Sequence, residues 1–287
     1  MSAEQVFTNA QLVLENEIVS GSLVVRDGLI AAIDSGSSRH GEDLEGDFLI
    51  PGLVELHTDH LEAHYSPRPG VRWNLTAAIQ SYDAQIVTSG ITTVFDCLRL
   101  GSTEDAGFPR GEMREMADAI EKAGAKHRLR AEHYIHLRCE GPTADVVAQF
   151  EDFVEDSLMD PSPGQRQFQT MDQYILYYKI KRGLSDEAFD AFVAARKQDS
   201  DLYSAMHRQA IADLCAERGI AVASHDDATQ AHVEEAIAQK VRLAEFPTSI
   251  EAARASHEAG MSVLMGAPNV VRGKSHSGNI AARDLAA

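Results

Sequence analysis

The chain has 287 residues and is 44% hydrophobic, enough to bury a large core as one barrel-sized domain with an appendage or as two domains. Its 44 acidic against 26 basic residues give a formal charge of -18, which argues against broad binding to nucleic acid or to an anionic membrane. Cys97, Cys139 and Cys215 are odd in number, widely spaced and form no Cys-x-x-Cys pair, so neither a disulfide framework nor a thiolate zinc site is expected and the chain reads as cytoplasmic. Met1 to Gln5 carry no leader pattern, and no apolar run approaches the roughly 18 residues that span a bilayer.

Residues 1-50 read as a β-rich domain. Short strands are expected at Val13-Leu14, Gly21-Val25 and Leu29-Ile33, with Asp27-Gly28 as a hairpin turn between the last two. Ser35 to Asp47 is polar and glycine-containing, so a loop follows.

Residues 51-287 change texture. Apolar strand-like runs now alternate with helical periodicity, the pattern of βα units on a parallel sheet. Strands are expected at Leu53-His57, Ile91-Asp96, Leu129-Cys139, Phe153-Met159, Ile220-Ser224, Arg242-Phe246 and Ser262-Met265. Helices fit between them at Glu112-Ala123, Thr143-Phe150, Asp186-Lys197, Ala205-Arg218, Thr229-Gln239 and Ile250-Ala259, with Gly124, Gly219 and Gly260 placed as C-caps. No Gly-x-Gly-x-x-Gly turn follows any strand, which weighs against a doubly wound sheet. The expected class is therefore α/β, a (β/α)8 barrel short of its last strand in the sequence given, with the β-rich segment as part of a small sandwich.

In such barrels chemistry gathers at the C-terminal ends of the strands. His57-x-Asp59 ends the first, and residues two apart on a strand share a face, so imidazole and carboxylate point together toward a metal. On the third, Glu132, His136, Arg138 and Glu140 share one parity and Ile135, Leu137 and Cys139 the other. The fifth ends in His225-Asp226-Asp227 and the sixth in Glu245. A lone strand-end histidine is more often structural, and Asp227 or Thr229 can simply cap the next helix; several ligand-type residues at several strand ends are harder to explain that way.

The segment from Gly266 to Asn279 reads as an anion-binding loop: Ser275, Ser277 and Asn279 donate hydrogen bonds while Arg272 and Lys274 supply charge. A surface loop is the alternative. Arg166, in Ser162 to Gln167, and Arg68 are further cations of this kind, and Tyr174, Tyr177 and Tyr178 read as packing.

Taken together, Pro51 to Asp59, Ser89 to Val94, His136 to Glu140, Ser162 to Phe168, Ala223 to Thr229, Leu264 to Asn269 and Ser275 to Asn279 resemble the amidohydrolase superfamily. The closer likeness is to its ribose-triphosphate diphosphatases of phosphonate metabolism. The resemblance implies a metal-bearing barrel with a small sandwich, and hydrolysis of a phosphorylated ribose to its 5-phosphate and pyrophosphate. It implies one or two divalent ions, zinc foremost with manganese, iron or nickel as alternatives, held by His57, Asp59, Glu140, His225 and Glu245. Glu245 stands where many members have a histidine, Pro161 stands where a histidine is expected beside Ser162, and no counterpart of an eighth-strand aspartate precedes Ala287. Asp226 and Asp227 are the candidate replacements, and His276 is the third catalytic candidate. Arg68, Arg166, Asn269, Arg272, Lys274, Ser275, Ser277 and Asn279 are expected to bind substrate. The expected partner is a small molecule, with no nucleic acid or membrane, and a homo-oligomer is compatible. The alternatives are hydrolysis of a cyclic amide or amine, and a catalytically incomplete scaffold.

Overall fold

The computed structural model describes residues 4-36, 38-68, 70-101, 111-155, 160-163, 185-273, 275 and 279-285. Arg166, Tyr174, Tyr177, Tyr178, Lys274, His276 and Ser277 lie outside them. The chain divides into two compact units, Met1–Val54 with Gly90–Thr92, and Glu55–Ser89 with Thr93–Ala287. No helix among the described residues is long and apolar enough to cross a membrane.

The first unit is a sheet of β1 (Glu4–Val13), β2 (Ile18–Arg26), β3 (Leu29–Asp34), β4 (Glu42–Asp43) and β5 (Phe48–Leu49). β2 pairs antiparallel with β1 and with β3, while β4 and β5 run parallel to β1. The hairpin turn falls at Asp27-Gly28, where φ is 52° and 80°. Two consecutive positive φ values match the twist of the flanking strands, which is why this dipeptide makes a tight hairpin. Gly52 is needed for another reason: a Cβ there would collide with the side chain of Thr92.

The second unit holds two sheets. β6 (Leu53–Thr58), β7 (Ile91–Leu100), β8 (Glu132–Cys139) and β9 (Asp160–Pro163) are neighbours in sequence order, with β7, β8 and β9 parallel. β10 (Ala223–His225), β11 (Leu243–Glu245) and β12 (Ser262–Leu264) form the other, also parallel. Helices intervene: α1 (His60–Tyr65), α2 (Leu75–Thr88), α3 (Glu112–Ala125), α4 (Val146–Glu155), α5 (Asp186–Asp199), α6 (Ala205–Arg218), α7 (Gln230–Ala238), α8 (Ile250–Glu258), α9 (Ala267–Arg272) and α10 (Ala282–Leu285). Along β7 and β8 the residues of one parity, Val94, Leu98, Ile135 and Leu137, are buried with Ile79 and Tyr82 of α2, Met116 of α3 and Phe150 of α4. These apolar side chains form the core.

Several expectations change. Phe153 of the expected fourth strand lies on α4, where Val146, Phe150 and Phe153 are buried at i, i+4 and i+7; residues 156-159 lie outside the described residues, and those that pair with β8 are Asp160–Pro163. A short apolar run does not by itself separate strand from helix, and here the 3.6 period wins. Helices α1 and α2 were not anticipated, although Asn74 caps α2 by accepting from the Ala77 N–H. Helix α3 runs past Gly124 to Ala125, and the left-handed residue after it is His127. Gly219 does cap α6 in the left-handed region, and Thr229 caps α7 through the His232 N–H.

A charged cluster is buried between sheet and helix. His133 of β8 bonds through Nδ1 to Asp96 Oδ2 of β7 at 2.9 Å and through Nε2 to Asp83 Oδ1 of α2 at 3.3 Å. Asp83 Oδ1 also accepts from the Arg130 and Ala131 N–H groups, which sets the start of β8. Burial alone would lower the His133 pKa, but the hydrogen bond and charge of Asp96, joined by Asp83, raise it above 6.5. A raised folded value means stabilisation that is complete below the unfolded value and fades as pH rises through the folded one. The loss of stability in His133→Gln, measured by urea unfolding, is therefore expected to be largest below pH 6.5 and to shrink in alkali. A loss that is the same at every pH would contradict this.

Candidate metal centre

β6 ends at Thr58, so the alternation that orients His57 stops there; Asp59 has already turned into the N-cap of α1. His57 Nδ1 lies 2.9 Å from Glu245 Oε2 at the end of β11. His57 also contacts the rings of His136 and His225, each with centroids 4.9 Å away, and Phe246 closes against both His57 and His225. One carboxylate thus sits beneath three imidazoles.

Each histidine has a fixed role. His136 Nδ1 donates to the Leu56 carbonyl at 3.0 Å, which leaves its Nε2 lone pair directed at the cluster. Burial pushes His136 down to about 4, so its imidazole is neutral, the form that ligates a metal. His225 Nδ1 lies 2.8 Å from Asp226 Oδ2 at an angle outside a hydrogen bond. Burial would lower the His225 pKa, and the adjoining Asp226 charge raises it instead. Glu245 would be raised by burial, yet the His57 hydrogen bond and the charges of His136, His57 and His225 bring it below the usual glutamate value. It remains an anion although only 2% exposed.

Two donor sets emerge among the described residues, His57 with His225 and Glu245, and His57 with Cys97 and His136; within each, the ligand atoms lie within 4.8 Å of one another. The fit to a divalent ion rests on donor chemistry and on atoms left over: His136 Nε2 and Glu245 Oε1 are buried with no hydrogen-bond partner among the described residues. Imidazole and carboxylate suit zinc and its neighbours.

Asp59 and Glu140 are occupied differently. Arg138 donates to Asp59 Oδ2 at 3.0 Å and to Glu140 Oε1 at 3.1 Å, and Arg99 Nε lies 3.6 Å from the same Glu140 oxygen. Asp226 and Asp227 are both 3% exposed; Asp226 has a left-handed φ of 59° and is engaged by His225. Arg68 is exposed and bridges to Val71 through the main chain. Arg272 is exposed on the last turn of α9, Asn269 is half-buried on that helix, and Ser275 and Asn279 are half-buried beyond it. His136 entered the sequence reading only as part of a polar face, and Cys97, Arg99 and Arg138 not as site residues. The parity of β7 holds the signal, because Cys97 and Arg99 face opposite to Val94 and Leu98.

Two solved structures share the fold. The 5-methylcytosine deaminase of Klebsiella pneumoniae superposes with a TM-score of 0.56 at 13% identity, covering 98% of this chain and 71% of that one. The aminofutalosine deaminase of Helicobacter pylori gives 0.52 at 12%, covering 96% and 78%. At these identities the likeness is one of fold alone. No family model matches the chain. The alpha-D-ribose 1-methylphosphonate 5-triphosphate diphosphatase of Escherichia coli K12 is 47% identical over 289 aligned residues, 98% of this chain and 76% of that protein. The chain belongs to the family of that diphosphatase.

Arg138 is the counter-charge of both Asp59 and Glu140. Arg138→Met is expected to cost about 3–5 kcal/mol of stability by leaving Glu140 buried with weaker compensation. The check is a chemical denaturation curve beside that of Arg138→Lys, which keeps the charge and is expected to lose less.

Proposed function

We infer that the chain is a hydrolase of phosphonate degradation, converting alpha-D-ribose 1-methylphosphonate 5-triphosphate to the 5-phosphate and pyrophosphate. The 47% identity to the Escherichia coli diphosphatase along almost the whole chain carries this reading.

In this proposal the two parallel sheets are arcs of one (β/α)8 barrel, with residues 1-50 as a separate β-rich domain. One or two divalent ions, zinc foremost, are held at His57, His136, His225 and Glu245. Such an ion supplies Lewis acidity toward water and phosphoryl oxygen.

The protein's own groups do the rest. Glu245 holds His57 in one tautomer, the Leu56 carbonyl holds His136, and Asp226 faces the inner nitrogen of His225, so three imidazoles are pre-oriented. Arg99 and Arg138 lie opposite one another on β7 and β8, two residues beyond Cys97 and His136, and bring positive charge toward the triphosphate. Asp59 and Glu140 hold these guanidiniums in place rather than serving as first ligands. Asp226, Asp227 and His276 are the proposed proton carriers, Asp226 lying beside His225 Nδ1. Asn269, Arg272, Lys274, Ser275, Ser277 and Asn279, with Arg68 and Arg166, are proposed to bind the remaining phosphates. Buried cysteine thiols accord with a reducing cytoplasm.

The test is pyrophosphate release from the ribose triphosphate before and after removal of divalent ions by a chelator. Activity is expected to need the ion, to return on its addition, and to fall to background in His57→Ala. Turnover that survives both chelation and that substitution would overturn the mechanism; turnover of nucleobases or hydantoins in place of the triphosphate would overturn the substrate.

A further inference from the structure

The cluster's second donor set contains a sulfur. β7 and β8 run parallel with Cys97 opposite His136, and β10 and β11 run parallel with His225 opposite Glu245. Rung partners in a sheet project to the same face. The centre is therefore built from two cross-strand pairs, Cys97 with His136 and His225 with Glu245, and His57 reaches donors of both.

An independent observation marks the Cys97 side as a place for a ligand. His136 is only 5% exposed, its Nδ1 is spent on the Leu56 carbonyl, and its Nε2 has no hydrogen-bond partner among the described residues. A buried lone pair left without a partner is costly, and a cation between His57, His136 and Cys97 removes that cost. Burial, with the Asp59 and Glu245 charges nearby, pushes the Cys97 thiol up, so the sulfur carries its proton until a cation replaces it. Cys139 has the opposite parity, is fully buried with the helix-facing core, and sits near Cys215.

Building on the metal centre proposed above, we propose that Cys97 is itself a metal ligand, making a mixed sulfur, nitrogen and oxygen donor set. On binding, the S–H bond is replaced by a sulfur–metal bond, the proton leaves to solvent, and no electron is exchanged. A thiolate shifts selectivity toward zinc or cobalt and away from magnesium or calcium, which take oxygen donors. The absence of a Cys-x-x-Cys pair does not bear on this, because the partner donors come from other strands.

X-ray absorption at the zinc edge of the zinc-loaded chain tests the assignment without an activity measurement. The expected spectrum contains one sulfur scatterer at about 2.3 Å beside nitrogen and oxygen at about 2.0–2.1 Å. Cys97→Ser is expected to lose the sulfur shell while still binding zinc, and Cys139→Ser to keep it. Zinc held by nitrogen and oxygen alone in the unaltered chain, or a sulfur shell that survives in Cys97→Ser, overturns the role of Cys97 and leaves the metal centre standing. A chain that takes up neither zinc nor cobalt overturns both. Should Cys97→Ser not fold, the unaltered chain and Cys139→Ser together decide.

Discussion

The Glu245 carboxylate is the charge on which this centre depends. It is almost wholly buried, and an isolated anion there would be too costly to keep. Three histidines from three other strands face it, two of them within 4 Å of one carboxylate oxygen. The main chain secures the same spot, for the Asp226 N–H donates to the Glu245 carbonyl and the Phe246 N–H to that of Leu264. Both donating residues have positive φ, 59° and 50°, so the chain turns sharply out of β10 and β11 directly after the residues that face the cluster. Side-chain charge and backbone turn are solved together.

Above this layer the charge pattern reverses. Arg99 and Arg138 stand one same-face step beyond Cys97 and His136, and they gather Asp59 and Glu140 around them. Glu62 lies close enough to feel Arg99, Asp59 and Arg138, although burial is the larger influence and raises it. The strand ends thus carry a donor layer, then a salt-linked layer, while the opposite face of β7 and β8 packs Val94, Leu98, Ile135 and Leu137 beside the Asp83–His133–Asp96 cluster.

What the sequence makes legible is what local chemistry determines. Asp27-Gly28 demands a hairpin turn, Gly219 a left-handed helix cap, and Thr229 an N-cap, and each is found. His57, His225 and Glu245 are readable as strand-end residues with few other reasons to be there. Phe153 is misread because an apolar run of that length fits either period. Asp59 is read as a ligand from its spacing to His57 and Glu140 from the resemblance, whereas the structure engages both with Arg138, a contact that for Asp59 spans 79 positions. Cys97 beside His136 is a matter of register between strands 39 positions apart, which no local pattern encodes.

The register makes β7 intolerant of insertion. Inserting one residue into β7 would turn Cys97 and Arg99 to the helices and bring Asp96 and Leu98 to the donor face, inverting the strand at a stroke. Lengthening a connection costs only fractions of a kcal/mol per added residue, on the order of 0.6 kcal/mol for a doubling. The connections between donors can therefore lengthen cheaply, whereas β7 cannot take one more residue without losing its donor face.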